Sequence, residues 1–142
     1  DGNGKMSKRG NQDATIYLND EDEVIRKKMM KAKTDSGPAE PNAEMPDYIQ
    51  NLFDLMKLVA PADTYEHFKS SYDSCNIRYG DFKKQLAEDM VNFVAPIRTR
   101  AQDLQKDEAQ LQRILKLGAE KARASAAKTL SEARKAIGIN YY

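Results

Sequence analysis

Lys5, Ser7 and Lys8 place two ammonium groups and a hydroxyl close together inside the opening stretch "DGNGKMSKRGN". Glycine permits positive φ and asparagine tolerates it, so the stretch reads as a mobile loop. Such a set suits a polyphosphate. Lysine acts as a mobile point charge, the hydroxyl and freed backbone N–H groups donate to oxygens, and glycine lets the backbone approach. The stretch is not a Walker A loop, which needs G-x-x-x-x-G-K-[ST]. On these residues alone, a disordered basic tail is the competing reading.

A second set stands further along. Arg78, Lys83 and Lys84 flank Tyr79 at the start of a long helical pattern. A splayed base could stack on the tyrosine while the cations neutralise a phosphate. The competing reading has the lysines solvated and Tyr79 packed inward. Arg123 and Lys128 are weaker candidates of the same kind. The single cysteine, Cys75, excludes an internal disulfide and a cysteine-rich metal site. It reads as an inert thiol, because the only histidine, His67, lies upstream in a helical pattern and no glycine elbow surrounds either residue.

The elements that position these residues are helices. "DATIYL" (13–18) is extended or forms one turn. "NDEDEVIRKKMMKAK" predicts a helix at about 20–33, with Asp20 and Glu23 in capping-box register and Val24, Ile25, Met29 and Ala32 on one face. "TDSGPAEPNAEMP" (34–46) carries three prolines and a glycine and is an irregular connector. From 47, Tyr48, Ile49, Leu52, Phe53, Met56, Val59 and Ala60 recur at helical spacing until Pro61. Asp63 or Thr64 can cap a short helix whose Tyr65, Phe68 and Tyr72 form an aromatic stripe, read as core rather than as a base-stacking platform.

After a loop at 73–80, Gly80 or Asp81 begins a long helix striped by Phe82, Leu86, Met90, Phe93, Ile97, Ala101 and Leu104. Pro96 predicts a kink without a stop, since the stripe continues in phase. Asp107 caps a last region in which Leu111, Ile114, Leu115, Ala119, Ala122, Ala126, Leu130, Ala133 and Ile137 are expected to face inward. Gly118 is expected to break that region into two helices, and Gly138 fits the position that ends the second. The sum is an all-α bundle of five or six helices with a flexible loop at its N-terminal edge.

At 142 residues, with 40% hydrophobic and 32% charged residues, the chain can build one modest core. No signal peptide or membrane-length apolar run is present, so a soluble, cytoplasmic protein with no membrane partner is the expectation. The net charge of +1 conceals an asymmetry: residues 41–76 hold two Lys/Arg against six Asp/Glu, and 77–142 hold thirteen against eight. A basic back half is either a solvated helical surface or a phosphate-facing one.

"KMSKR", Lys5 to Arg9, resembles the KMSKS signature of class I aminoacyl-tRNA synthetases, and "GN" commonly follows it there. "RKKMMKAKTDSG" (26–37) is similar to the segment after that signature in tryptophanyl-tRNA synthetases, where a basic helix ends in a Thr-Asp-Ser turn. "NLFDLMKLV" (51–59), "YGDFKKQLAEDM" (79–90) and above all "DEAQLQRILKLGAEKARASAAKTLSEARKAIG" (107–138) resemble successive helices of that family's C-terminal domain. The resemblance covers nearly the whole chain.

It implies that 1–19 is a signature loop and connector from a catalytic domain that precedes this chain, and that 20–142 is a helical anticodon-binding domain. The family's HIGH-type motif is absent here, so the chain is expected to be the C-terminal part of a longer enzyme and inactive alone. The implied ATP contacts are Lys5, Met6, Ser7, Lys8 and Arg9. Lys8 is the implied catalytic residue, facing charge that builds on the leaving pyrophosphate, and Lys5 is its helper. Magnesium would be held chiefly by the phosphates and by no protein cage in this chain. Arg9 replaces the usual final serine, which removes a hydroxyl and leaves the lysine chemistry intact. The implied partners are tRNA, met through Arg78, Tyr79, Lys83 and Lys84, together with ATP and, through the preceding domain, tryptophan. The parent is expected to be a homodimer and this piece a monomer. A tyrosine-specific enzyme of the same class and a non-enzymatic helical module that binds a protein partner are the alternative readings.

Overall fold

The computed structural model describes residues 12–139, so the lysine-bearing stretch at 5–9 lies outside the described residues. Among the described residues a single 3₁₀ turn, Gln12–Ala14, precedes five helices and no strand: α1 (Asp22–Met30), α2 (Asp47–Val59), α3 (Ala62–Asp73), α4 (Tyr79–Lys106) and α5 (Glu108–Ala136). The fold is all-α, as the periodicities require. None of these helices is long and apolar enough to cross a membrane. The chain divides into two compact units, Asp1–Thr99 and Arg100–Tyr142.

In the first unit one core joins four helices. Ile25 and Met29 of α1, Ile49, Leu52, Phe53 and Met56 of α2, Tyr72 of α3, and Phe82, Leu86, Ala87, Met90, Val91 and Val94 of α4 are buried together. Phe53 sits among other rings: its centroid lies 4.7 Å from Phe82, 5.8 Å from Tyr72 and 6.1 Å from Tyr65. The aromatic stripe of α3 is therefore core, since burying rings edge to face gains both area and quadrupole contact.

The helix boundaries depart from the sequence expectation in instructive ways. Asp20 does not cap α1; Glu21 takes the N-cap position without a side-chain bond. The Asp20 carboxylate instead accepts from the Tyr17 N–H at 2.9 Å and from Lys28 Nζ at 2.6 Å. A tertiary cation outcompeted the local cap. Asp63 and Thr64 are likewise inside α3, whose N-cap is Pro61. In α4 the buried face runs Leu86, Met90, Val94, Arg98, while Phe93 and Ile97 are half exposed. Steps of four after Met90 keep to the core side and a step of three leaves it, so Phe93 and Ile97 turn outward. Helix α4 continues through Pro96 as expected.

In the second unit, Gly118 does not break α5, which is continuous over its 29 residues. One exposed glycine costs a helix only about 1 kcal/mol, too little to stop it between strong helix formers. The striped face of α5 exists, but no residue on it is buried, and Ile114, Leu115, Leu130 and Ile137 are exposed. Periodicity fixes which residues share a face, not what covers them. Both ends of α5 follow expectation. Asp107 caps the start by accepting from the Gln110 N–H at 2.9 Å. At the finish, Gly138 has φ +74°. Its N–H reaches the Lys135 carbonyl and that of Ile139 reaches Arg134, a Schellman closure. Asp107→Ala is expected to cost α5 about 1 kcal/mol, speeding exchange of the Gln110 amide about fivefold while the last turn is unchanged. Residue-resolved amide exchange measures it.

Candidate functional site

Arg78, Tyr79, Lys83 and Lys84 come together because α4 begins at Tyr79, which places 83 and 84 about one turn above 79. Their side chains do not do the same work. Arg78 and Lys84 are exposed, and among the described residues neither makes an ion pair. Lys83 is partly buried and its ammonium donates to the carbonyls of Ala32 at 2.6 Å and Met30 at 3.4 Å. It thereby satisfies acceptors left open at and just beyond the C-terminus of α1. Burial holds its pKa below the ordinary lysine value.

Tyr79 is half-buried with its ring edge-on to Phe82. Its hydroxyl is shut off from solvent without a full hydrogen bond among the described residues. Burial, then the neighbouring Asp35 carboxylate, pushes the phenol far above its ordinary pKa. Asp35 is near enough to act on it electrostatically without closing a bond of good geometry.

Asp35 belongs to the Thr-Asp-Ser-Gly turn. Its Oδ1 accepts from the Gly37 N–H at 2.8 Å and its Oδ2 from the Tyr48 hydroxyl at 3.2 Å. Partial burial opposes ionisation there, but the Gly37 N–H and the Tyr79 and Tyr48 hydroxyls outweigh it and hold the carboxyl below its usual range. Gly37 has φ +101°, which lets the chain turn back onto that carboxylate. Lys33, at the entrance to this turn, lies with Nζ 4.5 Å above the Tyr48 ring and is exposed. The sequence pattern places Lys33 in the last turn of a helix over 20–33, but α1 ends at Met30 and Lys33 lies beyond it.

A second constellation sits where the N-terminal stretch enters the fold. The backbone of 15–20 is gripped by two cations. Lys28 Nζ donates to the Thr15 carbonyl at 2.7 Å and to Asp20 Oδ2 at 2.6 Å, and rides 4.9 Å over the Tyr17 ring. Arg98, buried on α4, forks between the Asp20 carbonyl and the Asp22 carboxylate. Neither cation was singled out from the sequence. The signal for Arg98 was its place four residues after Val94, in phase with the buried face of α4.

Lys5, Met6, Ser7, Lys8 and Arg9 lie outside the described residues. Arg123 and Lys128 are exposed on α5. Among the described residues no three His, Cys, Asp or Glu side chains gather closely enough to hold a metal ion.

Comparison with known proteins follows the same lines. A relative from Porphyromonas gingivalis, named tryptophan–tRNA ligase, is 51% identical over 140 residues, covering 98% of this chain and 42% of the relative. Tryptophan–tRNA ligase 1 of Streptomyces coelicolor is 38% identical, with 94% and 40% covered. A tryptophan–tRNA ligase of Clostridium longisporum is 38% identical, with 100% and 41% covered. The chain spans about two-fifths of the length of these relatives. No solved structure matches it. The family model described as class I tRNA synthetases (W and Y) matches residues 1–95, two-thirds of the chain, and the chain belongs to that family.

Proposed function

We propose that the full-length protein activates tryptophan with ATP and transfers it to its tRNA in the cytoplasm, and that this chain supplies the ATP signature loop and an RNA-binding helical surface. The observation that carries this reading is identity of 51% maintained over 98% of the chain with a protein named tryptophan–tRNA ligase. The match extends well past residue 95, where the model shared with the tyrosine enzymes ends.

In activation the tryptophan carboxylate attacks the α-phosphorus of ATP, the bond to the bridging oxygen breaks, and pyrophosphate leaves with the electron pair. Lys8 faces the charge that develops on the leaving group, and Lys5 assists it. Backbone and hydroxyl groups of Met6 and Ser7 contact ATP beside Arg9, with magnesium carried on the phosphates. A cation that meets this charge only as it forms lowers the barrier more than it tightens substrate binding. The parent acts as a homodimer, while this piece alone is monomeric and without activity. The deciding assay is amino-acid-dependent ATP–pyrophosphate exchange in the full-length protein: tryptophan is expected to support it and tyrosine to fail. Exchange with tyrosine alone would transfer the chain to the sister specificity.

For tRNA, Arg78 and Lys84 are the exposed cations at the head of α4, with Tyr79 and Lys83 as the framework beneath them. Replacing Arg78 and Lys84 together by alanine is expected to lower the slope of log affinity against log salt by about 1.5. A tRNA titration across salt concentrations reads this directly. An unchanged slope would move the RNA surface elsewhere on the chain.

A further inference from the structure

Helix α5 carries seven Lys/Arg against three Glu, and the imbalance sharpens between 121 and 135, where five cations stand against the single acid Glu132. At about 100° per residue those cations fall into two rows. Lys121, Lys128 and Lys135, spaced seven apart, form one row. Arg123 and Arg134, spaced eleven apart, form the other, about 120° round the helix. Ala124, Ala127 and Ser131 lie between the rows, and Ala122, Ala126 and Ala133 lie on the opposite side. All of these residues are exposed. Cations on a helix surface ordinarily pair with acids one turn away. Glu120 stands three residues before Arg123, and Glu132 four after Lys128, yet among the described residues Lys121, Arg123, Lys128 and Lys135 form no ion pair. Like charges gathered on one side repel, a cost to the helix that a polyanion lying along it removes.

We propose that the 121–135 face of α5 is a second RNA contact, one that holds the phosphate backbone of a base-paired stem of the tRNA and reads no base. This rests on the tRNA-ligase reading given under Proposed function, and it is separate from the cations at the head of α4. Helix α5 contains no aromatic residue, so it has no platform on which an unstacked base could lie. The small residues between the rows let a backbone come close, and the Ser131 hydroxyl can donate to a phosphate oxygen. Steps of seven residues put the lysines about 10.5 Å apart along the axis. A duplex carries phosphates at finer spacing than that, so each lysine meets one without a fixed register.

The test titrates the full-length enzyme with the tryptophan tRNA and with a tRNA of another specificity, across salt concentrations. Lys121→Ala combined with Lys128→Ala is expected to lower the slope of log affinity against log salt by about 1.5 and to weaken both tRNAs by the same factor. Both sites are exposed and alanine is the best helix former, so α5 itself is preserved. Lys121→Arg combined with Lys128→Arg keeps the charge and should keep the slope. Lys27→Ala combined with Lys57→Ala removes the same charge from exposed sites on α1 and α2, and should move the slope by less than about 0.5. An unchanged slope in the α5 variant, an equal change in the Lys27 and Lys57 control, or a loss confined to the tryptophan tRNA would overturn the backbone contact alone. A wild-type enzyme that binds no tRNA would instead overturn the parent reading, and the α5 contact with it.

Discussion

Lys8→Ala is expected to slow tryptophan-dependent ATP–pyrophosphate exchange by about 10²–10³-fold in kcat, the size seen when one preorganised donor to a developing charge is removed. The leaving pyrophosphate gains charge between ground state and transition state, so a cation placed against it contributes mainly to the barrier. The KM for tryptophan should therefore stay within about twofold while kcat falls. Lys5→Ala is expected to cost less, since a second lysine shares charge that the first already meets. Steady-state exchange on both variants separates the two roles. Wild-type rates for Lys8→Ala would remove that lysine from the chemistry, whereas equal losses would make the pair a single unit.

Phe53→Ala carries the largest expected effect on stability. Phe53 is fully buried on α2 and its ring meets those of Tyr65 and Tyr72 on α3 and of Phe82 on α4, so two neighbouring helices lose a shared partner at once. Truncating a buried phenylalanine costs about 3–5 kcal/mol, combining lost transfer free energy with the cavity left behind. The rings around the gap are held from α3 and α4 and have little freedom to collapse, which favours the upper part of that range. Amide exchange in α2 should accelerate by about two to three orders of magnitude, with the amides of α5 unaffected. Comparable acceleration in both units would mean that they unfold as one.

How far the sequence disclosed the fold depended on whether a residue's fate was settled locally. Helix α2 was legible almost to the residue, because Pro46 and Pro61 bracket a run whose buried positions Ile49, Leu52, Phe53 and Met56 all lie on one face. Asp107 and Gly138 were legible for the same reason: a cap and a left-handed terminator act within one turn. Asp20, Phe93 and Ile97 were not. Asp20 was drawn from its capping register by Lys28, a contact across eight residues. Phe93 and Ile97 follow the drift of α4 against its neighbours, which no count of three or four settles in advance. Gly118 was overread, since a helical glycine is a cost and not a terminator. The site residues divide in the same way. Tyr79 and Lys83 were found as types near one helix start, yet their engagement with Asp35 and with the end of α1 depends on a connector rich in proline that carries no periodicity. Arg98 drew no reading from the sequence, because the expected stripe ran through Phe93 and Ile97 and the buried face of α4 runs through Val94 instead.

Helix α4 touches α1 at both ends and in the middle. Lys83 takes the carbonyls at and beyond its last turn, Glu88 pairs with Arg26 at 2.7 Å, and Arg98 holds the residues at its start. Three contacts on one rigid rod behave as the marks of a gauge. Inserting or deleting a single residue between 88 and 98 would swing Arg98 by about 100° and shift it by about 1.5 Å, taking it off its mark while the first two stay engaged. Composition in this window can vary on the wet face, but its length cannot. Homologous chains that keep these three contacts should therefore show substitutions between 83 and 98 and no gaps there, with length changes collected in the 34–46 connector.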